Sequence, residues 1–181
     1  MKNPLSEFSI PLLGLKKEHY VFDFQLDKSF FTAFEDSYIQ DGAVKVNLEL
    51  EKKTSHLELN FDFEGTVKTE CDRCTASIDL PVEGTEQIIA KYSEETQEDE
   101  DEIIFIHPET SELNVAQYIY EYINLAIPIR KVYDCENDEN PPCDFATLNF
   151  LENQSDSTDG NSDDDDDVPP AWNALKDLKI N

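Results

Sequence analysis

Two consecutive stretches near the middle of the chain alternate apolar and polar residues with a period of two, and this restricts the fold more than any other feature. Val44, Val46, Leu48 and Leu50 alternate with Lys45, Asn47 and Glu49, and then Leu57, Leu59, Phe61 and Phe63 alternate with Glu58, Asn60 and Asp62. Successive side chains of a strand point to opposite faces, so the pattern fits a sheet with one face in a core and the other in water. Residues 52–55 alone separate the two runs, which makes an antiparallel hairpin the economical connection. Earlier strands are expected over residues 8–13 and 19–26, turning through 14–17, with a short helix over 28–36. The second hairpin strand is expected to run on to Thr69; after it Ile78, Leu80 and Val82, then 87–92, and finally 103–106 read as strands.

A change of period marks the main helix. Val115, Ile119, Tyr122, Ile123 and Ala126 fall on one face at the i, i+4, i+7, i+8 spacing, which predicts a helix over residues 114–126. Asn114 is placed to cap it with Gln117 three residues on, and Pro128 ends it. The expectation is a single α+β domain over residues 1–151, a mostly antiparallel sheet of strands from residues 6 to 106 packed by this one helix. A chain of 181 residues with 39% hydrophobic residues holds enough apolar material for one such core.

Charge decides which partners suit that body. There are 41 acidic residues against 14 basic ones, a formal charge of -27. Two runs without a basic residue concentrate the excess: an acidic loop within residues 93–102, and residues 152–167, which include five consecutive aspartates. Outside them the chain is still acidic. A nucleic-acid binder gains affinity by replacing phosphate counterions with Lys and Arg, so this field opposes duplex binding and favours basic partners. The bland reading of such runs is solvation alone. Residues 152–168, rich in Ser, Asp, Asn and Gly, are expected to form a disordered linker, because they offer too little apolar surface to offset the entropy of ordering.

Apolarity returns in residues 169–181. Trp172, Leu175 and Leu178 recur every three residues, with Lys176 and Lys179 beside them, so on a short helix they form one narrow apolar stripe. Such a helix is marginal alone and needs a groove, on its own body or on another molecule. A recognition segment for a partner is the reading adopted, since self-packing needs no long tether.

Chemistry-bearing residues are few. The five glycines form no phosphate-binding loop, and His19, His56 and His107 have no catalytic motif around them. No apolar stretch reaches signal-peptide or membrane-span length, so a cytoplasmic protein with no membrane or small-molecule partner is expected. Four cysteines in such a compartment are expected to be reduced. Cys71 and Cys74 form a Cys-x-x-Cys pair between strands, where two thiolates can bite one metal ion. Cys135 and Cys143, with seven residues between them including two prolines, could complete one structural zinc site. The alternative is four plain thiols that help shape a turn. A thiol-dependent enzyme or redox sensor centred on Cys71 and Cys74 is a further reading; Arg73 would favour a thiolate, but oxidoreductase pairs of this kind normally open a helix.

Three features together resemble the YceD-like family of large ribosomal RNA subunit accumulation proteins. They are Cys71-Asp72-Arg73-Cys74 after an alternating strand, the helix running into Leu125-Ala126-Ile127-Pro128-Ile129 with a cysteine-bearing loop beyond, and the closing Pro170-Ala171-Trp172-Asn173-Ala174-Leu175-Lys176-Asp177-Leu178-Lys179. Family members often carry Arg where Ala171 stands, and more Cys and Gly after the Leu-Pro segment. The resemblance implies a non-enzymatic accessory role in accumulation of 23S-type ribosomal RNA or its precursor. Combined with the charge, it points to a basic ribosomal protein or large-subunit assembly intermediate as partner. Direct contact with precursor RNA is the alternative, and Lys68, Arg73, Arg130 and Lys131 would then have to gather into a basic patch.

Overall fold

Each strand of the main sheet follows from a local instruction in the chain. A 3₁₀ turn over Pro4–Phe8 leads into β1 (Ser9–Pro11), followed by β2 (His19–Leu26), α1 (Lys28–Phe31), β3 (Gly42–Lys52), β4 (His56–Glu70), β5 (Ser77–Tyr92), β6 (Ile103–Ile106), β7 (Glu112–Asn114), α2 (Ala116–Ala126) and α3 (Phe145–Ser155). The computed structural model describes residues 4–35, 37–95, 102–135 and 138–155. The chain divides into two units, Met1–Asp144 and Phe145–Asn181. The first is an α+β body, as expected; in the second the described part is α3. The linker expected over 152–168 is corrected at its start, since residues 152–155 belong to α3; the rest of it, the recognition segment with Trp172, Leu175, Lys176, Leu178 and Lys179, and most of the acidic loop lie outside the described residues.

Strands β2 to β6 lie side by side in chain order. The β3–β4 hairpin closes where the Lys53 N–H donates to the His56 carbonyl at 3.0 Å. Its register sets Val46 opposite Phe63, Leu48 opposite Phe61 and Leu50 opposite Leu59. All six are buried, so the alternation read from sequence is satisfied on one face. β5 continues the same face with Ile78, Leu80, Val82 and Ile88, and α2 packs on it with Ile119 and Ile123 buried. Phe61 meets the ring of Tyr122 edge-on at 5.4 Å. At the other end Phe8, Phe30, Phe31 and Ile39 close the core. There the Phe34 and Tyr120 rings stack at 4.1 Å, and the Tyr120 hydroxyl donates to Ser37 Oγ at 3.0 Å.

The main sheet is mostly antiparallel, as expected, with one parallel pair, β6 beside β5 with Ile89 opposite Ile103. A tight turn would have forced the antiparallel arrangement, whereas residues 93–102 provide chain to return alongside β5. β1 does not join the main sheet; it pairs with β7, Ile10 opposite Leu113, in a separate ribbon. The runs at 78–82 and 87–92 are one continuous strand. The early helix ends at Phe31, and α3 has no counterpart in the sequence reading. Asn114 lies in β7 yet still accepts the Ala116 N–H at 3.0 Å, while Gln117 bonds Glu121 at 2.6 Å instead of completing a capping box.

Gly65 shows how closely β4 approaches β3. A Cβ built there would lie 2.2 Å from the Ala43 carbonyl oxygen and 2.6 Å from Val44 Cα, both backbone atoms of the partner strand. Gly65→Ala is therefore expected to destabilise the protein by about 1–3 kcal/mol, as overpacking does. Urea unfolding is the measurement, and an unchanged midpoint would contradict this strand approach.

Candidate functional site

The turn that carries the Cys-x-x-Cys pair is built by the ends of the two longest strands. β4 ends at Glu70 and β5 begins at Ser77. Between them the Cys71 N–H donates to the Ala76 carbonyl, and the Thr75 N–H to the Cys71 carbonyl, both at 2.8 Å. Thr75 adopts φ +59°, the left-handed conformation that lets the chain reverse. Cys71 and Cys74 are free thiols, 2% and 0% exposed. Burial pushes the Cys71 thiol up, but hydrogen bonds from the backbone of Tyr133, Arg73 and Cys74 and from the Cys74 side chain outweigh it and leave the group below its ordinary value.

The segment after α2 is tied to this turn. The Asp72 N–H donates to the Lys131 carbonyl at 2.7 Å, and Asp72 Oδ2 accepts the Lys131 N–H at 2.7 Å. Lys131 Nζ adds an ion pair at 3.6 Å to Asp72 Oδ1. Two residues further on, Tyr133 hydrogen-bonds Cys71 through its backbone, and its carbonyl oxygen lies 3.4 Å from Cys135 Sγ. Tyr133 thus touches both halves of the cysteine set. Its hydroxyl donates to Asp138, which pulls that carboxyl below the usual range.

Cys135 and Cys143 are joined in a disulfide, with Cα atoms 6.8 Å apart. This corrects the expectation that all four cysteines are reduced: the loop containing Pro141 and Pro142 doubles back and brings its two ends together. A four-thiolate zinc site does not fit this bonded form, since Cys71 and Cys74 are then the only thiols of the set. Among the described residues no group of three or more His, Cys, Asp or Glu is placed to hold a metal. The Cys-x-x-Cys turn lies between strands and opens no helix, which is unlike the oxidoreductase arrangement.

Of the four basic residues weighed for RNA contact, the structure brings two together. Lys68 and Lys131 line one shallow cleft with Tyr38, Gln40, Glu70 and Ser77. Each is matched to a carboxylate, Lys68 to Asp79 at 3.2 Å and Lys131 to Asp72 at 3.6 Å. Arg73 is exposed on the cysteine turn and Arg130 is exposed before Lys131. Sequence reasoning missed Tyr38, which is 92% exposed and belongs both to this cleft and to an adjoining groove lined by Ile39, Thr69, Asn124, Ile127 and Pro128. No periodicity could have marked it, because Tyr38 lies in an irregular connection between α1 and β3.

The polar face of the sheet is the other large feature. Asp23, Glu49, Glu51, Glu58, Asp62 and Glu64 lie on it across β2, β3 and β4, with Glu51 directly opposite Glu58. Like charges in that position repel, and Lys53 offsets the repulsion by bonding Glu51 and reaching Glu58 at 3.4 Å. The hydrogen bond from Lys53 holds the Glu51 carboxyl below its ordinary range and raises Lys53 in turn. Asp79 and Glu83 extend the acidic face onto β5.

A small α+β protein with an open acidic sheet face and a cysteine turn bound to the segment after its main helix is the class these elements define. The family model described as Large ribosomal RNA subunit accumulation protein YceD matches residues 59–179, from β4 through the cysteine turn and α2 to Lys179, and the chain belongs to that family. No curated protein and no solved structure matches the chain. The family description refers to accumulation of large-subunit ribosomal RNA and names no reaction. Among the described residues no helix is long and apolar enough to cross a membrane.

Proposed function

We propose that the protein is a non-enzymatic accessory factor of large-subunit biogenesis, supporting accumulation of 23S-type ribosomal RNA or its precursor by holding a basic ribosomal protein or assembly intermediate. The observation that carries this reading is the acidic sheet face, where carboxylates stand on neighbouring strands beside only a few lysines. A basic protein surface or arm would be steered to such a face and held at low cost in desolvation, whereas phosphates would be repelled. The acidic runs of the sequence add charge of the same sign. Membership of the family supplies the process, and charge supplies the kind of partner.

Capture from cell extract with the tagged full chain tests it. Large-subunit proteins are expected to be recovered, to persist after ribonuclease treatment, and to fall away as salt is raised. The double charge reversal Asp62→Lys/Glu64→Lys, on two exposed outward positions, should weaken recovery severalfold while leaving thermal unfolding nearly unchanged. Loss of every captured protein on ribonuclease treatment would instead support direct binding of precursor RNA, with the Lys68 and Lys131 cleft as the place to mutate.

A further inference from the structure

The two edges of the main sheet are unequal. β6 closes one side with only Ile103–Ile106, while β2 presents an edge eight residues long, His19–Leu26. At about 3.3 Å per residue that is about 26 Å of strand, room for a partner strand of ordinary length. The direction of its backbone groups follows from the ladder. The Lys52 N–H donates to the Glu18 carbonyl at 2.8 Å, and these two stand one step beyond His19 opposite Glu51. Hydrogen-bonded pairs recur at every second residue of an antiparallel ladder, so Tyr20, Phe22, Phe24 and Leu26 bond β3. The N–H and C=O groups of His19, Val21, Asp23 and Gln25 therefore point away from it, and among the described residues no hydrogen bond reaches them from the other side. Natural sheets blunt such an edge with Pro, Lys or a bulge. β2 has none of these, and its eight residues pair one to one with β3. Its one carboxylate, Asp23, is drawn back over the sheet by the Asn47 side-chain amide, which donates to Asp23 Oδ1 at 2.9 Å.

We infer that β2 is the docking strand for an extended basic segment of the partner, which adds to the sheet as one more strand; the inference rests on the basic-partner reading above and gives it a mode of binding. Directly opposite residues of neighbouring strands share a face, so Asp23, Glu49 and Glu51 stand together at the β2 side of the acidic face. His19 lies between the two glutamates, at 4.0 Å from Glu49 and 3.6 Å from Glu51. The one lysine or arginine directly opposite β2 is Lys45, at the Gln25 end. An added strand places alternate side chains over these carboxylates, where Lys or Arg pairs with them, while its backbone bonds to β2 hold it whatever its exact sequence. Its other side chains turn to the inner face beside the half-buried Phe22 and Phe24, where apolar residues fit. Alternation of basic and apolar residues is therefore the pattern expected of the segment. A second copy of this chain is the other occupant that an open edge invites. Charge opposes it, because each copy carries a formal charge of -27 and two-fold pairing of β2 with β2 would bring like carboxylates together.

The probe is a capped peptide as long as β2 that alternates lysine and valine, titrated into the full chain at low and physiological salt. Two further peptides carry backbone N-methyl groups, one on every lysine and the other on every valine. Methylation leaves the charge unchanged and removes the donors from one edge of the peptide strand in each case. A strand adding to β2 bonds through one edge alone, so one methylated peptide is expected to lose at least about tenfold in affinity while the other binds nearly as the parent peptide does. Val21→Pro removes an outward N–H and no ladder bond, a position where an edge strand tolerates Pro. Its thermal unfolding should change little, while its affinity for the parent peptide falls at least about fivefold. Equal binding of the two methylated peptides would reduce the interaction to charge and overturn the proposal. So would a parent peptide that does not bind at low salt, or a folded Val21→Pro that binds it undiminished. A parent chain that sediments as a dimer, with Val21→Pro a monomer, would give the edge to a second copy and overturn it as well. The methylated pair meets the parent chain and so decides the outcome even where Val21→Pro folds poorly. No ribosomal component enters the titration, and its failure leaves the partner reading to the capture experiment.

Discussion

Phe61→Ala is expected to lower the free energy of unfolding by about 3–5 kcal/mol, the range for removing a fully buried phenyl ring. Phe61 is 0% exposed, stands opposite Leu48 on β3 and meets Tyr122 of α2, so the substitution opens a cavity where three elements join. In a body of this size that loss lowers the melting temperature by roughly 10 °C. Its neighbour Asp62 points to the other face and accepts the Thr85 hydroxyl at 3.2 Å in the open. Asp62→Ala should therefore stay within about 0.5 kcal/mol of the parent. Urea unfolding of the pair measures the difference between two adjacent residues on opposite faces. A cost below about 1 kcal/mol for Phe61→Ala would mean that α2 does not cover this face of the sheet.

The second large effect belongs to the terminal segment. If Trp172 seats in a groove of a partner, Trp172→Ala should cost about 2 kcal/mol or more of binding, the scale of a buried tryptophan anchor, and leave thermal unfolding unchanged. The basis is the return of Trp172, Leu175 and Leu178 in helical register, with Lys176 and Lys179 beside them, after a long polar acidic stretch. Two measurements on the same variant separate the readings: thermal unfolding, and recovery of large-subunit components. A lowered melting temperature with unchanged recovery would show that the segment packs on its own body and sink the recognition role. No change in either would mean that the segment does nothing measurable.

The middle of the fold was legible because side-chain alternation is a local consequence of strand geometry. His19–Leu26 and Ile103–Ile106 come out with the expected bounds, and the β3–β4 hairpin with its turn. The failures share a cause. Alternation identifies a strand but says nothing of its partner, so the parallel entry of β6 beside β5 and the pairing of β1 with β7 were invisible. Helix α3 had no counterpart in the sequence reading either. At the site, the Cys-x-x-Cys turn was placed correctly between strands, yet nothing in the sequence marked Asp72 and Tyr133 as the residues that bind it to the segment after α2.

From the sequence alone came the α+β class, the inward face of the central strands, the acidic field and the cysteine turn, along with the resemblance that the family model bears out. Each depends on residue types at short spacing, where geometry leaves one arrangement open. Only the tertiary structure decided that Cys135 meets Cys143, that both cysteine pairs meet at Tyr133, and that Lys68 shares a cleft with Lys131 and an exposed Tyr38. Apart from Cys135 and Cys143, which share one loop, those residues are far apart in the chain, and their meeting is set by strand lengths and by where the segment after α2 returns to the sheet. No local pattern encodes such a return, because it is chosen by the burial of the whole core.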